Sequence, residues 1–62
     1  MFKEYRKMRG FTQEQLAELM QMSWRQIQRI ENEENIPTIE TFKKLVKILN
    51  ISDKDIIKYI KK

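Results

Sequence analysis

Residues 13–32, QEQLAELMQMSWRQIQRIEN, contain two short helical patterns that are out of phase with each other. Within each pattern the apolar residues lie one helical turn apart, and the phase breaks at Met22 and Ser23. Ala17 occupies the point of closest approach, where a larger side chain would push the helices apart. The stretch therefore predicts two short helices that cross at a steep angle, with these inward positions: Leu16, Ala17, Met20, Met22, Ile27 and Ile30.

Both patterns begin with the same capping signal. Thr12 is followed three residues later by Gln15, and Ser23 by Gln26. Each hydroxyl can accept a hydrogen bond from a free amide of the first turn, while the glutamine reaches back to the cap. A capping box alone occurs often by chance, but two that each open one half of the crossing pattern support each other. We therefore expect helices over residues 12–20 and 23–31.

Another helix and a loop flank this pair. Residues 2–9 place Phe2, Tyr5 and Met8 along one stripe of a helix, and Gly10 provides a left-handed stop after it. Residues 32–37, NEENIP, predict a loop, because asparagine favours turns and Pro37 prevents the preceding helix from continuing.

The C-terminal half predicts two more helices. A 3.6-residue apolar period runs over residues 39–49, with Thr38 as its expected cap and Asn50 as its stop, and Ser52 can cap a last helix. Five helices in 62 residues leave no room for a sheet, so we expect one all-α domain over residues 1–62. The apolar positions of the last two helices are Ile39, Phe42, Leu45, Val46, Leu49, Ile56, Ile57 and Ile60.

Composition excludes several kinds of site. The chain has no cysteine and no histidine, which rules out a disulfide, a zinc finger and an imidazole base. No pairing of a nucleophile with a base is visible, so we expect no enzymatic activity, cofactor, metal or small-molecule ligand. The apolar runs are too short for a membrane span or a signal peptide, so we expect a cytoplasmic protein.

Charge is unevenly distributed along the chain, whose formal net charge is +4. Residues 1–29 carry six basic and three acidic side chains, residues 30–42 carry four acidic and none basic, and residues 43–62 carry seven basic and two acidic. Such a pattern does not make a uniformly basic surface. The lysine-rich C-terminal part is equally compatible with a solvated face and with binding to a polyanion.

The crossing segment resembles the helix-turn-helix of the phage repressor and Cro-type family, also called the XRE family. MRGFTQEQLAELM resembles the end of that family's first helix and its second helix, and SWRQIQRIEN resembles its recognition helix. IPTIETFKKLVKILNIS resembles the fourth helix and the entry to the fifth, so that roughly residues 3–57 are covered. The resemblance implies a five-helix, lambda-repressor-like domain that binds double-stranded DNA.

In this family the recognition helix lies in the major groove, with its N-terminal residues against base edges. The resemblance therefore implies that the outward positions read bases. Each arginine could hold O6 and N7 of a guanine, and the glutamine could hold an adenine edge. The candidate base-reading residues are Trp24, Arg25, Gln28 and Arg29.

Three further positions match the family's phosphate contacts. They are Gln13, at the start of the second helix, Ser23, at the cap of the recognition helix, and Asn32, just after it. Gln13 is also expected to brace the residue that follows Ser23. These contacts would position the domain on the duplex without specifying its sequence.

Trp24 is unusual, because the first turn of a recognition helix more often carries a small or polar residue. Its ring could lie against a thymine methyl or a sugar, pack on the second helix near Gln13, or contact another protein. The sequence leaves these three interpretations open.

Two other features follow from the resemblance. Arg6 and Glu31 match a pair that, in some relatives, forms a partly buried salt bridge between the first helix and the recognition helix; two ordinary surface charges are the alternative. Gln21 and Glu33 stand where the family usually carries glycine. A left-handed backbone at either point would cost a non-glycine residue about 1 kcal/mol.

A domain of this size neutralises few phosphates, so specific binding implies a homodimer on a palindromic operator, with half-sites about 34 Å apart. No long oligomerisation domain follows the motif, so the candidate dimer contacts are Ile36, Ile57, Tyr59 and Ile60. The expected function is transcriptional regulation, as a repressor, by operator occupancy. The alternatives are a protein-interaction module, such as an antitoxin-like partner that docks through Trp24, and the DNA-binding fragment of a longer regulator.

Overall fold

A computed structural model describes residues 1–61, in which five helices follow one another. They are α1 (Phe2–Met8), α2 (Gln13–Met20), α3 (Trp24–Glu31), α4 (Ile39–Leu49) and α5 (Asp53–Ile60). These residues contain no strand, so the predicted all-α class is confirmed. Lys62, which the predicted domain includes, lies outside the described residues. In the part of the chain described here, no helix is long and apolar enough to span a membrane.

Helices α2 to α5 each begin at a hydroxyl cap, as the sequence predicted. At Thr12 the hydroxyl accepts from the Gln15 N–H at 3.0 Å, and Gln15 Oε1 accepts from the Thr12 N–H at 2.9 Å. Ser23 and Gln26 form the same pair of bonds, at 3.3 and 3.0 Å. The predicted capping boxes at Thr12 and Ser23 are therefore confirmed, and the first residues with helical backbone are Gln13 and Trp24.

Left-handed backbone ends several helices. Gly10 has a φ of 78°, and Asn50, which ends α4, has a φ of 52°. Gln21 and Glu33 have φ values of 57° and 62°, so both positions where the family usually has glycine are left-handed in this chain as well. Each should cost about 1 kcal/mol relative to a relaxed backbone, and this strain lies on either side of α3.

The hydrophobic core confirms the crossing pattern. Five of the six inward positions predicted in residues 13–32 are buried, and Met22 is half-buried. Burying a side chain such as Leu16 or Ile27 stabilises the fold by about 1.5–3 kcal/mol. The buried apolar residues are Phe2, Leu16, Ala17, Met20, Ile27, Ile30, Leu45, Leu49 and Ile51.

Several apolar residues that we expected on helix core faces are exposed. The structure has too few elements to cover them, since a small domain leaves much of its apolar surface in water. Tyr59, in contrast, was a candidate dimer contact, but its ring stacks on Phe42 at 5.2 Å and meets Phe2 edge-on at 5.3 Å. Tyr59 is half-buried: it packs against the core and keeps part of its surface exposed. The exposed fractions are 69% for Met8, 75% for Ile39, 52% for Ile57 and 69% for Ile60.

Two long-range polar contacts join α1 to the C-terminal helices. Arg9 donates from Nε to the Leu49 carbonyl at 2.8 Å, so a cation satisfies the end of α4. The Tyr5 hydroxyl donates to the Asp55 carboxylate and accepts from the Ser52 N–H at 3.3 Å. The hydrogen bond from Tyr5 lowers the pKa of Asp55 below its usual value. These contacts hold α1 in place behind α2 and α3.

Candidate nucleic-acid interface

Helix α3 has one buried and one exposed face. Ile27 and Ile30 are 1% and 6% exposed and face the core. Arg25, Gln28 and Arg29 are three and four residues apart on the opposite side, and all three are exposed. Within residues 1–61, the side chains of Gln28 and Arg29 make no hydrogen bond, so their donors are available to a ligand. The helix therefore presents a row of long polar side chains that can bond base edges.

Trp24 is the first residue of α3 and is 43% exposed. The Arg25 guanidinium carbon lies 6.0 Å from the centroid of its ring, a cation–π contact that is worth about 0.5–1 kcal/mol at an exposed site. The Arg25 guanidinium therefore lies beside the Trp24 ring at the first turn of α3, and both side chains are exposed.

The cap of α3 uses most of the bonding capacity of Ser23. Its hydroxyl oxygen accepts from the Gln26 N–H and also lies 3.3 Å from Gln26 Oε1. A phosphate oxygen could accept from this hydroxyl by replacing its contact with Oε1. Ser23 is exposed, so the approach is open.

The start of α2 offers unpaired backbone amides. The N–H of Gln15 bonds the Thr12 hydroxyl, and the N–H of Leu16 bonds the Thr12 carbonyl at 3.0 Å. The N–H groups of Gln13 and Glu14 are the two of the first turn that no capping bond uses. Their partial positive charge favours an anion at this point.

A buried ion pair lies between the first and third helices. Arg6 Nε is 2.6 Å from Glu31 Oε2, and the two side chains are 9% and 2% exposed. Arg6 also donates from Nη2 to Glu31 Oε1 at 3.2 Å and from Nη1 to the Phe11 carbonyl at 2.8 Å. The predicted bridge is therefore confirmed, and the alternative of two surface charges is wrong.

Gln13 bonds this ion pair rather than Trp24. Its Nε2 donates to Glu31 Oε1 at 3.1 Å, across the 18 residues that separate them. We expected Gln13 to brace the residue after Ser23, but its Nε2 donates instead to the buried carboxylate of Glu31, a charged and therefore strong acceptor. Sequence reasoning singled out both Gln13 and Glu31 but missed their contact, because no local spacing rule relates them.

Asn32 ends α3 and is exposed. Its backbone N–H donates to the Gln28 carbonyl at 2.9 Å, and its Nδ2 is 3.5 Å from a Glu34 carboxylate oxygen. The amide is therefore accessible to a phosphate, although the neighbouring carboxylate would repel one. Arg25 lies in the first turn of α3 and Arg29 in its last turn, while the exposed acidic residues Glu33 and Glu34 follow the end of the helix.

These features together define a helix-turn-helix domain: two capped helices are joined by a short turn and packed on one core, and the second carries an exposed polar row. A helix-turn-helix family model matches residues 2–56 of the chain. The chain belongs to this family, the XRE family of DNA-binding domains, and is a DNA-binding transcription-regulator domain. The family is not known for enzymatic activity. No curated protein and no solved structure significantly matches the chain.

Proposed function

We propose that the chain reads a specific sequence in double-stranded DNA and represses transcription by occupying an operator, without chemistry. The observation that carries this proposal is the exposed row of Arg25, Gln28 and Arg29 on a helix whose opposite face is anchored in the core. Residues 1–62 would act as one domain in the cytoplasm, either as the whole regulator or as its DNA-binding part.

The proposed division of labour follows the geometry. The row on α3, with Trp24 beside it, reads bases. Gln13 and the free amides of the first turn of α2 bind one phosphate, and Ser23 and Asn32 bind others at the two ends of α3. These phosphate contacts set the orientation of the reading row and therefore affect all DNA sequences alike.

Selection of bound duplexes from a random pool would test the proposal and supply the operator. On that operator, Arg25→Ala or Arg29→Ala should weaken binding by about 1–3 kcal/mol and relax selectivity at one base pair. Lys47→Ala is the control, because Lys47 is an exposed cation on α4 and not on α3: any loss of affinity it causes should be the same for all DNA sequences and leave selectivity unchanged. Absence of salt-dependent binding to duplex DNA, even at low salt, would contradict the proposal.

We further propose that two copies bind a palindrome. Half-sites one helical turn apart are about 34 Å apart, and the largest Cα extent of the domain is 28 Å, so copies aligned along that axis leave a gap that only side chains can bridge. Ile36, 87% exposed, lies beside a groove of about 270 Å³ that Phe2, Ile30 and Tyr59 also line. With Ile57 and Ile60, it offers apolar surface for a second copy.

The dimer has a matched pair of test variants. Ile57 on α5 and Leu19 on α2 are both 52% exposed, so a lysine at either position costs the monomer a similar amount. Ile57→Lys should abolish two-to-one binding to the palindrome while leaving binding to a half-site intact, and Leu19→Lys should change neither. Equal effects of both variants would contradict a dimer through α5.

A protein partner at Trp24 is the alternative function, favoured by the exposure of this large ring. Trp24→Ala should weaken the binding of such a partner, and the size of this loss should not depend on the salt concentration. Salt-dependent DNA binding that Arg25→Ala weakens at one sequence distinguishes the operator function from it.

A further inference from the structure

The buried carboxylate of Glu31 has more partners than its ion pair requires. Its Oε2 accepts from Arg6 Nε at 2.6 Å, and its Oε1 accepts from Arg6 Nη2 at 3.2 Å and from Gln13 Nε2 at 3.1 Å. The arginine fork alone would already satisfy both oxygens. The third donor extends the network from the interior to the first residue of α2.

This third bond fixes the orientation of a surface amide. Gln13 is half-buried, and a glutamine side chain otherwise samples many rotamers. With one N–H of Nε2 committed to Glu31, the second N–H and Oε1 remain available for other hydrogen bonds. The side chain is therefore ordered before any ligand arrives, which removes part of the entropic cost of binding.

The backbone at the same point is held by the other end of the network. Arg6 Nη1 donates to the carbonyl of Phe11 at 2.8 Å, directly before the Thr12 cap. The free N–H groups at the start of α2 and the amide of Gln13 are thus fixed by one buried cluster. Because Arg6 neutralises Glu31, the carboxylate does so without adding net negative charge near a phosphate.

We propose that Glu31 is a positioning residue for DNA binding: it holds the Gln13 amide so that the second N–H donates to a phosphate oxygen, without touching the DNA. This proposal rests on the function proposed above. It makes a prediction of unusual sign, because removing a negative charge ordinarily strengthens binding to a polyanion. Glu31→Gln should weaken it.

A double-mutant cycle tests the coupling. Operator affinity is measured for the wild type, Gln13→Met, Glu31→Gln and the double variant, at a temperature at which circular dichroism shows all four folded. Each single change should weaken binding roughly threefold to tenfold, the effect of one hydrogen bond. The double variant should bind no more weakly than the weaker single variant, because without the amide Glu31 has nothing to position.

Glu34→Gln is the matched control, since it removes the same charge from an exposed carboxylate at the end of α3. It should leave binding unchanged or strengthen it. The positioning role is wrong if the fold-losses of affinity of the two single variants multiply in the double variant. It is also wrong if folded Glu31→Gln binds as tightly as the wild type.

A second variant keeps the test decisive if Glu31→Gln does not fold. Gln13→Asn retains an amide that is one methylene too short to reach Glu31 and a phosphate together, so it should weaken binding as much as Gln13→Met. Wild-type affinity for Gln13→Asn would overturn the proposal. If the wild type itself shows no salt-dependent binding, the proposed function fails and the positioning role with it; if the wild type binds and the cycle shows independence, the positioning role alone fails.

Discussion

Replacing Arg6 with alanine should destabilise the domain far more than replacing its exposed neighbour Lys7. Arg6 makes three hydrogen bonds, two to Glu31 and one to the Phe11 carbonyl, and all would be lost. The Glu31 side chain is 2% exposed, so its charge would be left buried with the Gln13 amide as its remaining side-chain donor. Stranding one partner of a buried pair costs about 3–5 kcal/mol, and the bond from Gln13 places this case near the lower value.

That cost is large for a chain of this length. A domain of 62 residues has a total stability of about 3–9 kcal/mol. A loss of about 3 kcal/mol corresponds to a fall in Tm of roughly 12–24 °C in a domain of this size. Lys7→Ala, a surface change worth at most about 0.5 kcal/mol, should shift Tm by no more than about 4 °C.

Thermal unfolding followed by circular dichroism measures both variants. Similar shifts for Arg6→Ala and Lys7→Ala would refute the reasoning. The double variant Arg6→Met with Glu31→Leu separates the cause, because it removes both charges and keeps most of the volume. It should recover much of the lost stability if the penalty comes from an unpaired buried charge, and should not if it comes from lost packing.

Three further predictions concern other parts of the fold. Since the Tyr5 hydroxyl lowers the pKa of Asp55, this contact stabilises the native state above about pH 4 and is lost as the pH falls through the lowered pKa; Asp55→Asn should flatten that part of the stability profile in urea titrations, and an unchanged profile would contradict the contact. Gln21→Gly should raise the free energy of unfolding by about 0.5–1 kcal/mol by relieving a left-handed residue, whereas Gln21→Ala, which keeps the Cβ, should not. Operator should quench the fluorescence of Trp24, the one tryptophan in the chain, and an unchanged spectrum of the bound complex would place the ring outside the interface.

The features that could be predicted from the sequence are those that local rules determine. The hydroxyl caps at Thr12 and Ser23 depend on residues three positions away, and the burial of Leu16 and Ile27 depends on a helical period. In such cases the chain within one or two turns contains all the information required. The same is true of the left-handed backbone at Gly10.

The incorrect expectations share a different cause. An apolar period shows that a helix has an apolar face, but not that another element exists to cover it. Met8 and Ile39 are exposed because no further layer of the described residues covers α1 and α4 at these points, while Tyr59 is half-buried through its stacking on Phe42. Coverage is a property of the whole chain, so no window of sequence reveals it.

The candidate site was only half predictable for a related reason. The outward row of Arg25 and Arg29 follows from helix geometry, but the bond between Gln13 and Glu31 joins residues 18 apart and depends on how α2 and α3 cross. Because of that bond, we expect two kinds of mutation with different effects on DNA binding. Changes in the network around Glu31 alter where α2 meets the phosphates and should change affinity for all sequences by one factor, while changes in the row should change the ratio between sequences. Affinity measured on the operator alone cannot distinguish the two kinds of mutation, but the ratio of operator affinity to random-duplex affinity can. This ratio assigns each residue of α3, and each residue of the network around Glu31, either to positioning or to base reading.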